Sequence, residues 1–345
     1  MNDFDVVVVG GGPAGATVAT LCARQGKRVV LYEHRRFPRH KVCGDVINSN
    51  CWPVLERTGV ADAIRALPHH TITGACFVTG DGATLDVPMR AVTVRRSLLD
   101  LALLNHARKS GVTVIEGEAV HEIKRDWPAV IGADGRNSIA ARKGAAAIGP
   151  VAVQGHFQAP ASVDDRVQLF LFEGGYAGLV RVDAGLVNLC IVTDAAGAKL
   201  REDCEALFAR TVWRNAGFRA LGIAPEPVEP LLSAAPLRRA MNVPLRDGVF
   251  LVGDALRVTE PFTGQGIFFA LRTAELASAA MAGEIDYAAA VRALYRQRGR
   301  ANGLLWRWLY RPRAAAGVMA GLRRWPAARE WLAANVLAGE RATSR

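Results

Sequence analysis

The sequence predicts an α/β fold: a parallel nucleotide-binding layer, an antiparallel β-sheet interleaved with it, and a helical C-terminus. Three observations predict it. An apolar strand runs straight into a glycine-rich turn and a helix at the N-terminus. Strand-like runs separated by Gly-containing turns fill residues 71–95 and 151–245. From residue 288 to 338 the pattern is helical, interrupted near Pro312 and Pro326. Half of the 345 residues are apolar, which is ample for a core. No long apolar stretch lacks charge, so no segment reads as a spanning helix.

Residues 4–33 form one βαβ unit. DVVVV is a buried parallel strand, Pro13–Gln25 is rich in helix formers, and Arg28–Tyr32 is a second apolar strand. Gly10, Gly12 and Gly15 stand in G-x-G-x-x-G spacing between strand and helix, with Pro13 and Ala14 completing the turn. The first glycine permits the tight turn, the second lets backbone approach a pyrophosphate, and the third lets helix and strand pack closely. Unpaired N–H groups and the positive end of the helix dipole face the phosphates. Glu33 ends the second strand, where a carboxylate accepts hydrogen bonds from an adenosine ribose. Strand, turn, helix, strand and acid in register define a Rossmann-type dinucleotide site, but leave NAD and FAD both open.

Residues 71–95 alternate apolar and polar around Asp81-Gly82, as a β-hairpin does. Ser97–Lys109 is helical, Gly111 is its stop, and Val112–Ile115 is a short strand. Gln168–Phe172, Gly178–Val182 and Leu186–Thr193 are strands, and Arg201–Asn215 is an expected helix. Residues 246–282 return to strand, loop and helix.

Two later segments resemble a known superfamily. Ile131–Ser138, IGADGRNS, is similar to the Asp-Gly motif of the flavoproteins that include p-hydroxybenzoate hydroxylase, flavin-dependent halogenases and geranylgeranyl reductases. Val249–Ala270, VFLVGDALRVTEPFTGQGIFFA, resembles their Gly-Asp motif. Phe37–Asp45, FPRHKVCGD, is similar to the Lys-x-Cys-Gly segment of geranylgeranyl reductase-like proteins. The resemblance implies FAD as cofactor and extends the expected site. It adds Arg36, Cys43, Gly44, Arg96, Asp134, Gly135, Gly253, Asp254, Pro261, Gly264, Gln265, Gly266 and Ile267 to Gly10, Gly12, Pro13, Ala14, Gly15 and Glu33. Asp254 would bind the ribityl chain, and the turn Pro261–Gly266 would lead into a helix whose dipole stabilises the charge of a reduced flavin. Arg96 is read as the arginine that reaches the cofactor, the alternative being a pairing with Asp100. The expected division is a discontinuous FAD-binding domain at 1–70, 96–150 and 246–290, a substrate-binding sheet domain at 71–95 and 151–245, and a basic helical segment at 291–345.

Two departures stand out. Leu256-Arg257 replaces the usual Ala-Gly, so Arg257 either adds a cation near the cofactor or faces solvent. The segment His121–Ile131 is short for a family that often places a hairpin there.

The chemistry is read in two ways. The first is an NAD(P)H-using monooxygenase acting on an aromatic, polyketide-like or lipid-like molecule, with NADPH or NADH as transient reductant. The second is an alkene (isoprenoid) reductase. Glu173–Val182, EGGYAGLVRV, keeps only Tyr176 of the Tyr-x-Trp-x-Phe-Pro pattern of lipid-reducing relatives, which counts against the second. The absence of a W-x-W-x-I-P segment disfavours a tryptophan halogenase. Cys43 and Tyr176 are the candidate catalytic side chains; the plainer readings are a small buried thiol and an ordinary sheet residue. A non-catalytic flavin electron-transfer protein is the contrasting class. No carboxylate pair or His arrangement stands out as a separate acid–base system.

Six scattered cysteines without a CxxC pair read as reduced thiols, and dispersed histidines predict no metal. The net charge of +11 sits in the tail: residues 291–345 hold twelve Arg against Glu330 and Glu340, a net of +10, with Trp306, Trp308, Trp325 and Trp331. Such a segment suits an acidic carrier protein, a membrane surface, or a lid packed on the core. No nucleic-acid motif accompanies it. The N-terminus shows no leader pattern, which predicts a cytoplasmic protein, with the tail leaving peripheral membrane association open.

Overall fold

A computed structural model describes residues 3–140, 149–194, 206–208, 212–213, 216–235, 237, 240–296, 312–328 and 330. Two sheets organise it. The first is six-stranded and mostly parallel, in the order β13 (Leu245–Arg246), β14 (Val249–Leu251), β7 (Val130–Gly132), β1 (Val6–Val9), β2 (Val29–Glu33) and β6 (Thr113–Glu116). All four valines of β1 are buried, Val6 and Val8 in the core shared with the helices, and a strand buried on both faces reads as a continuous apolar run. Each such valine stabilises the fold by about 1.5 kcal/mol or more.

Helix α1 (Pro13–Arg24) packs between α4 (Arg96–Lys109) and helix α5 (Gly266–Met281). The approach is close. A Cβ on Gly15 would lie 1.8 Å from the Gly10 carbonyl oxygen, and one on Gly10 would lie 2.5 Å from that of Ala133. Gly10 also has φ +105°, which bars an ordinary side chain. Two short helices, α2 (Trp52–Thr58) and α3 (Ala61–Arg65), close one side of the same core.

The second sheet has eight strands, in the order β12 (Leu232–Ala234), β8 (Val151–Gln158), β11 (Leu186–Thr193), β10 (Gly175–Arg181), β9 (Arg166–Phe172), β4 (His70–Val78), β5 (Thr84–Thr93) and β3 (Val46–Asn48). Its pairings are antiparallel except for β4 with β9, which joins the 71–95 hairpin to the later strands. Residues 46–48 therefore pair into this sheet although they follow directly on the segment near the nucleotide layer.

Helix α6 (Pro312–Arg324) lies on β5, with Ala315 and Met319 buried against it and Arg323 donating to the Thr84 carbonyl. Trp325 beyond it is 70% exposed. Trp306, Trp308, Trp331 and most of the expected helix 201–215 lie outside the described residues. Among the described residues no helix is long and apolar enough to cross a membrane.

Candidate active site

The parallel strands of the first sheet end at one edge, and the sequence motifs stand at those ends. β1 delivers Gly10, β2 delivers Glu33, β7 delivers Asp134 and β14 delivers Gly253 and Asp254. Open α/β sheets bind ligands in the crevice beyond the carboxyl ends of their strands.

Glu33 is 2% exposed and accepts from the Gly11 N–H (2.8 Å) and the Arg35 N–H (3.0 Å). The Asp134 carboxylate accepts from the Ile139 N–H at 2.8 Å, and burial pushes its pKa up. Gly135, with φ +82°, opens a short 3-10 turn after it. Gly253 is fixed by Thr273, whose hydroxyl accepts the Gly253 N–H at 2.9 Å and donates to the Phe269 carbonyl at 2.7 Å. Asp254 pairs with Lys41 Nζ at 3.2 Å. Burial opposes its charge, but Lys41 and Arg136 together hold the carboxyl below its usual range. Pro261 begins a 3-10 turn, Gly264 is left-handed, and fully buried Gln265 leads into α5, where Ile267 is buried in the first core.

These residues fit an FAD molecule. The N-termini of α1 and α5 carry no side-chain cap and no acidic residue in the first turn, leaving their N–H groups for an anionic or polar ligand. A Cβ on Gly44, Gly264 or Gly266 would meet nothing within 4 Å, so backbone there faces open space. Asp134 Oδ1 and Arg39 Nε are buried polar atoms without a hydrogen bond.

Arg39 escaped the sequence reading. Its guanidinium would lie 3.3 Å from a Cβ on Gly12, directly over the glycine turn, and it pairs with Asp100 at 3.3 Å. Arg36 lies instead beside Gly117, at the edge strand. Arg96 is buried and held by Asp100 through two bonds of 2.8 Å, so the pairing with Asp100 is present. Burial works against its charge, and Asp100 together with Cys43 more than offsets this. Arg257 is half-buried, with its guanidinium stacked 4.9 Å above the Tyr295 ring.

Cys43 is half-buried, and burial raises its thiol pKa despite the nearby charge of Arg96. It is a neutral thiol near pH 7. Tyr176 is buried, packs edge-on against Phe262 with centroids 5.5 Å apart, and donates to Glu260 at 3.4 Å. It belongs to an apolar cluster with Phe77, Leu85, Leu171, Val192 and Met319.

No His and carboxylate arrangement stands out in the sequence, yet the fold assembles one. Asp45 and His156 are both buried, with Asp45 Oδ2 2.8 Å from His156 Nε2, and Glu229 Oε2 lies 3.4 Å from His156 Nδ1. Asp45 is distant in sequence from both partners, so no spacing rule reveals the group. One signal was present: Gln154 and His156 share a face of the otherwise apolar run VAVQGHFQ, and a polar pair on a buried strand face needs partners.

The fold and the site define a flavin-binding oxidoreductase. The FAD binding domain family matches residues 3–130. Menaquinone reductase of Mycolicibacterium smegmatis is 26% identical over 326 residues, covering 83% of this chain and 78% of that protein. Digeranylgeranylglycerophospholipid reductase of Methanosarcina mazei is 25% identical, covering 81% of this chain and 75% of that protein. The flavin-dependent brominase Bmp2 superposes with a TM-score of 0.80 at 19% identity, covering 97% of this chain and 93% of that one, which shows a shared fold. The chain carries an FAD binding domain and is similar along most of its length to FAD-dependent enzymes that include reductases, halogenases and monooxygenases.

Proposed function

We propose that this flavoenzyme is a reductase of unsaturated bonds in an apolar, lipid-like small molecule, with NADPH or NADH as a transient source of electrons. The observation that carries the proposal is the apolar cluster around Tyr176 and Phe262. Phe262 belongs to the turn before α5, so this cluster meets the cofactor crevice at the place where substrate and flavin must come together. A ligand seated there is recognised by apolar area, at about 0.8 kcal/mol per buried CH₂. The two reductases named above support the reading, since both align over most of this chain.

FAD, when bound, supplies the two-electron chemistry. The bare N-terminus of α1 and Arg39 would hold its pyrophosphate, Glu33 its ribose, and Asp254 with Lys41 its ribityl side. The Pro261–Gly266 turn would present backbone N–H groups and the α5 dipole to the flavin ring. The eight-stranded sheet and α6 would exclude water from the substrate.

One observation favours the monooxygenase reading with an aromatic or polyketide-like substrate. β10 carries Gly178, Val180 and Arg181 where lipid-reducing relatives tend to carry Trp, Phe and Pro, and Arg181 is tied to the Pro160 (2.8 Å) and Val163 (2.7 Å) carbonyls. Turnover of a polyprenyl substrate under strict anaerobiosis separates the readings. A product heavier by two hydrogens is expected of the reductase. No turnover without O₂, followed by O₂ consumption and an oxygen added to the product once air is admitted, would replace it by the monooxygenase.

A further inference from the structure

The segment Lys41–Asp45 is gripped by the antiparallel sheet. The Cys43 N–H donates to Gln154 Oε1 (3.3 Å), and Asn188 Nδ2 donates to the Cys43 carbonyl (2.8 Å) and to Asp45 Oδ2 (2.6 Å). Asp45 has φ +58°, a left-handed conformation that costs energy for a residue other than glycine and persists only where its surroundings hold it. Its backbone oxygen accepts from Val94 (2.9 Å) and its Oδ1 from the Arg96 N–H (3.0 Å). His156 supplies the remaining contact. Each nitrogen of its ring faces a carboxylate oxygen, Asp45 at 2.8 Å and Glu229 at 3.4 Å. A neutral imidazole has one N–H and would turn a lone pair toward one of them, so both contacts are attractive only when the ring carries two protons.

We infer that His156, as an imidazolium shared by Asp45 and Glu229, is the positioning residue that fixes Cys43 and Gly44 against the flavin. The inference rests on the reading that Cys43 and Gly44 face the cofactor. The charged groups around it bear this balance out. Lys41 is engaged by Asp254 and Arg96 by Asp100, so neither side chain neutralises Asp45. Arg95 and His40 both pair with Glu229 and share it with His156. Burial disfavours the charged ring, but the bond to Asp45 together with the charges of Asp45 and Glu229 outweighs it and raises the His156 pKa. A raised histidine pKa means that the clamp is complete below the ordinary imidazole pKa and is lost as pH rises through the higher value.

The test uses the full chain and reads FAD affinity by flavin fluorescence from pH 5.5 to 9.5, together with the rate of Cys43 alkylation in the FAD-free protein. In the wild type, FAD is expected to bind about tenfold more weakly above the His156 titration than below it, the equivalent of one pKa unit of coupling. In His156→Gln the inflection in FAD affinity should vanish, with weak binding at every pH, and alkylation should follow the thiolate population alone, faster than in the wild type at each pH where His156 is protonated. Glu229→Gln, on a partly exposed side chain, should fold normally and move the wild-type inflection down by about one pH unit, since it removes one of two carboxylates. Coincident pH profiles in the wild type and His156→Gln, or an inflection unmoved in Glu229→Gln, would overturn the inference. Alkylation that depends on His156 while FAD affinity does not would overturn its flavin-facing half. Neither readout uses a substrate, so a wrong substrate class leaves both unchanged.

Discussion

Arg39 is a largely buried cation between Asp100 and Glu33, with its fork over Gly12 and with Nε 3.9 Å from Glu33 Oε2 but without a hydrogen bond. Burial lowers its pKa, though Asp100 and Glu33 counter this, and a diphosphate would supply the hydrogen-bond acceptor that Nε lacks. Hydrogen bonds to charged groups contribute about 1.5–3 kcal/mol. Arg39→Met is therefore expected to weaken FAD binding by at least tenfold in a fluorescence titration, while Arg36→Met should change it little. Equal losses would return the phosphate role to Arg36. Cys43 permits an opposite prediction. A nucleophilic role needs the thiolate, and burial holds this thiol in its neutral form at pH 7. Cys43→Ser should keep FAD and retain turnover of the same order of magnitude. A collapse of turnover with FAD still bound would make the thiol catalytic. What was legible at this scale was local: Gly10, Gly15 and Glu33 are spaced by one βαβ unit, whereas Arg39, Asp45, His156 and Glu229 owe their roles to contacts that no linear pattern encodes.

Elements were legible where period and punctuation agreed. The strand at β1, the helix at α1 and the hairpin of β4 and β5 follow from an apolar run, a glycine turn and a period-2 alternation around Asp81-Gly82. The parallel β4–β9 pairing and the recruitment of residues 46–48 into the second sheet were not, because pairing partners far apart in sequence leave no local trace. The join between β14 and α5 depends on one hydroxyl. Thr273 satisfies the Gly253 N–H at the point where the chain turns toward Asp254. Thr273→Val keeps the shape and leaves that buried N–H unpaired, at a cost of about 1–3 kcal/mol. A lower Tm that FAD restores only in part is the expected outcome of thermal melts with and without cofactor; an unchanged Tm would show that the amide finds another partner.

On the scale of the whole molecule, the two sheets meet along the segment 40–48 and across the cluster that Phe262 shares with Tyr176. Helix α6 closes that cluster from outside, placing Ala315, Met319 and Leu322 on one face at helical spacing. The basic character of the tail predicts an outward face, and Arg323 and Trp325 are exposed, yet the same helix contributes buried side chains to the proposed substrate region. On the proposed function α6 would form a wall for the apolar ligand, through Ala315 and Met319. Met319→Ala removes a buried side chain and leaves a cavity, a change that typically costs 2–5 kcal/mol. The expected result is a lower Tm, unchanged FAD affinity because the glycine turn and strand ends are untouched, and a KM for a polyprenyl substrate raised more than kcat is lowered. Were FAD affinity to fall with KM unaffected, α6 would belong to the cofactor site and the apolar cluster would no longer mark where the substrate lies.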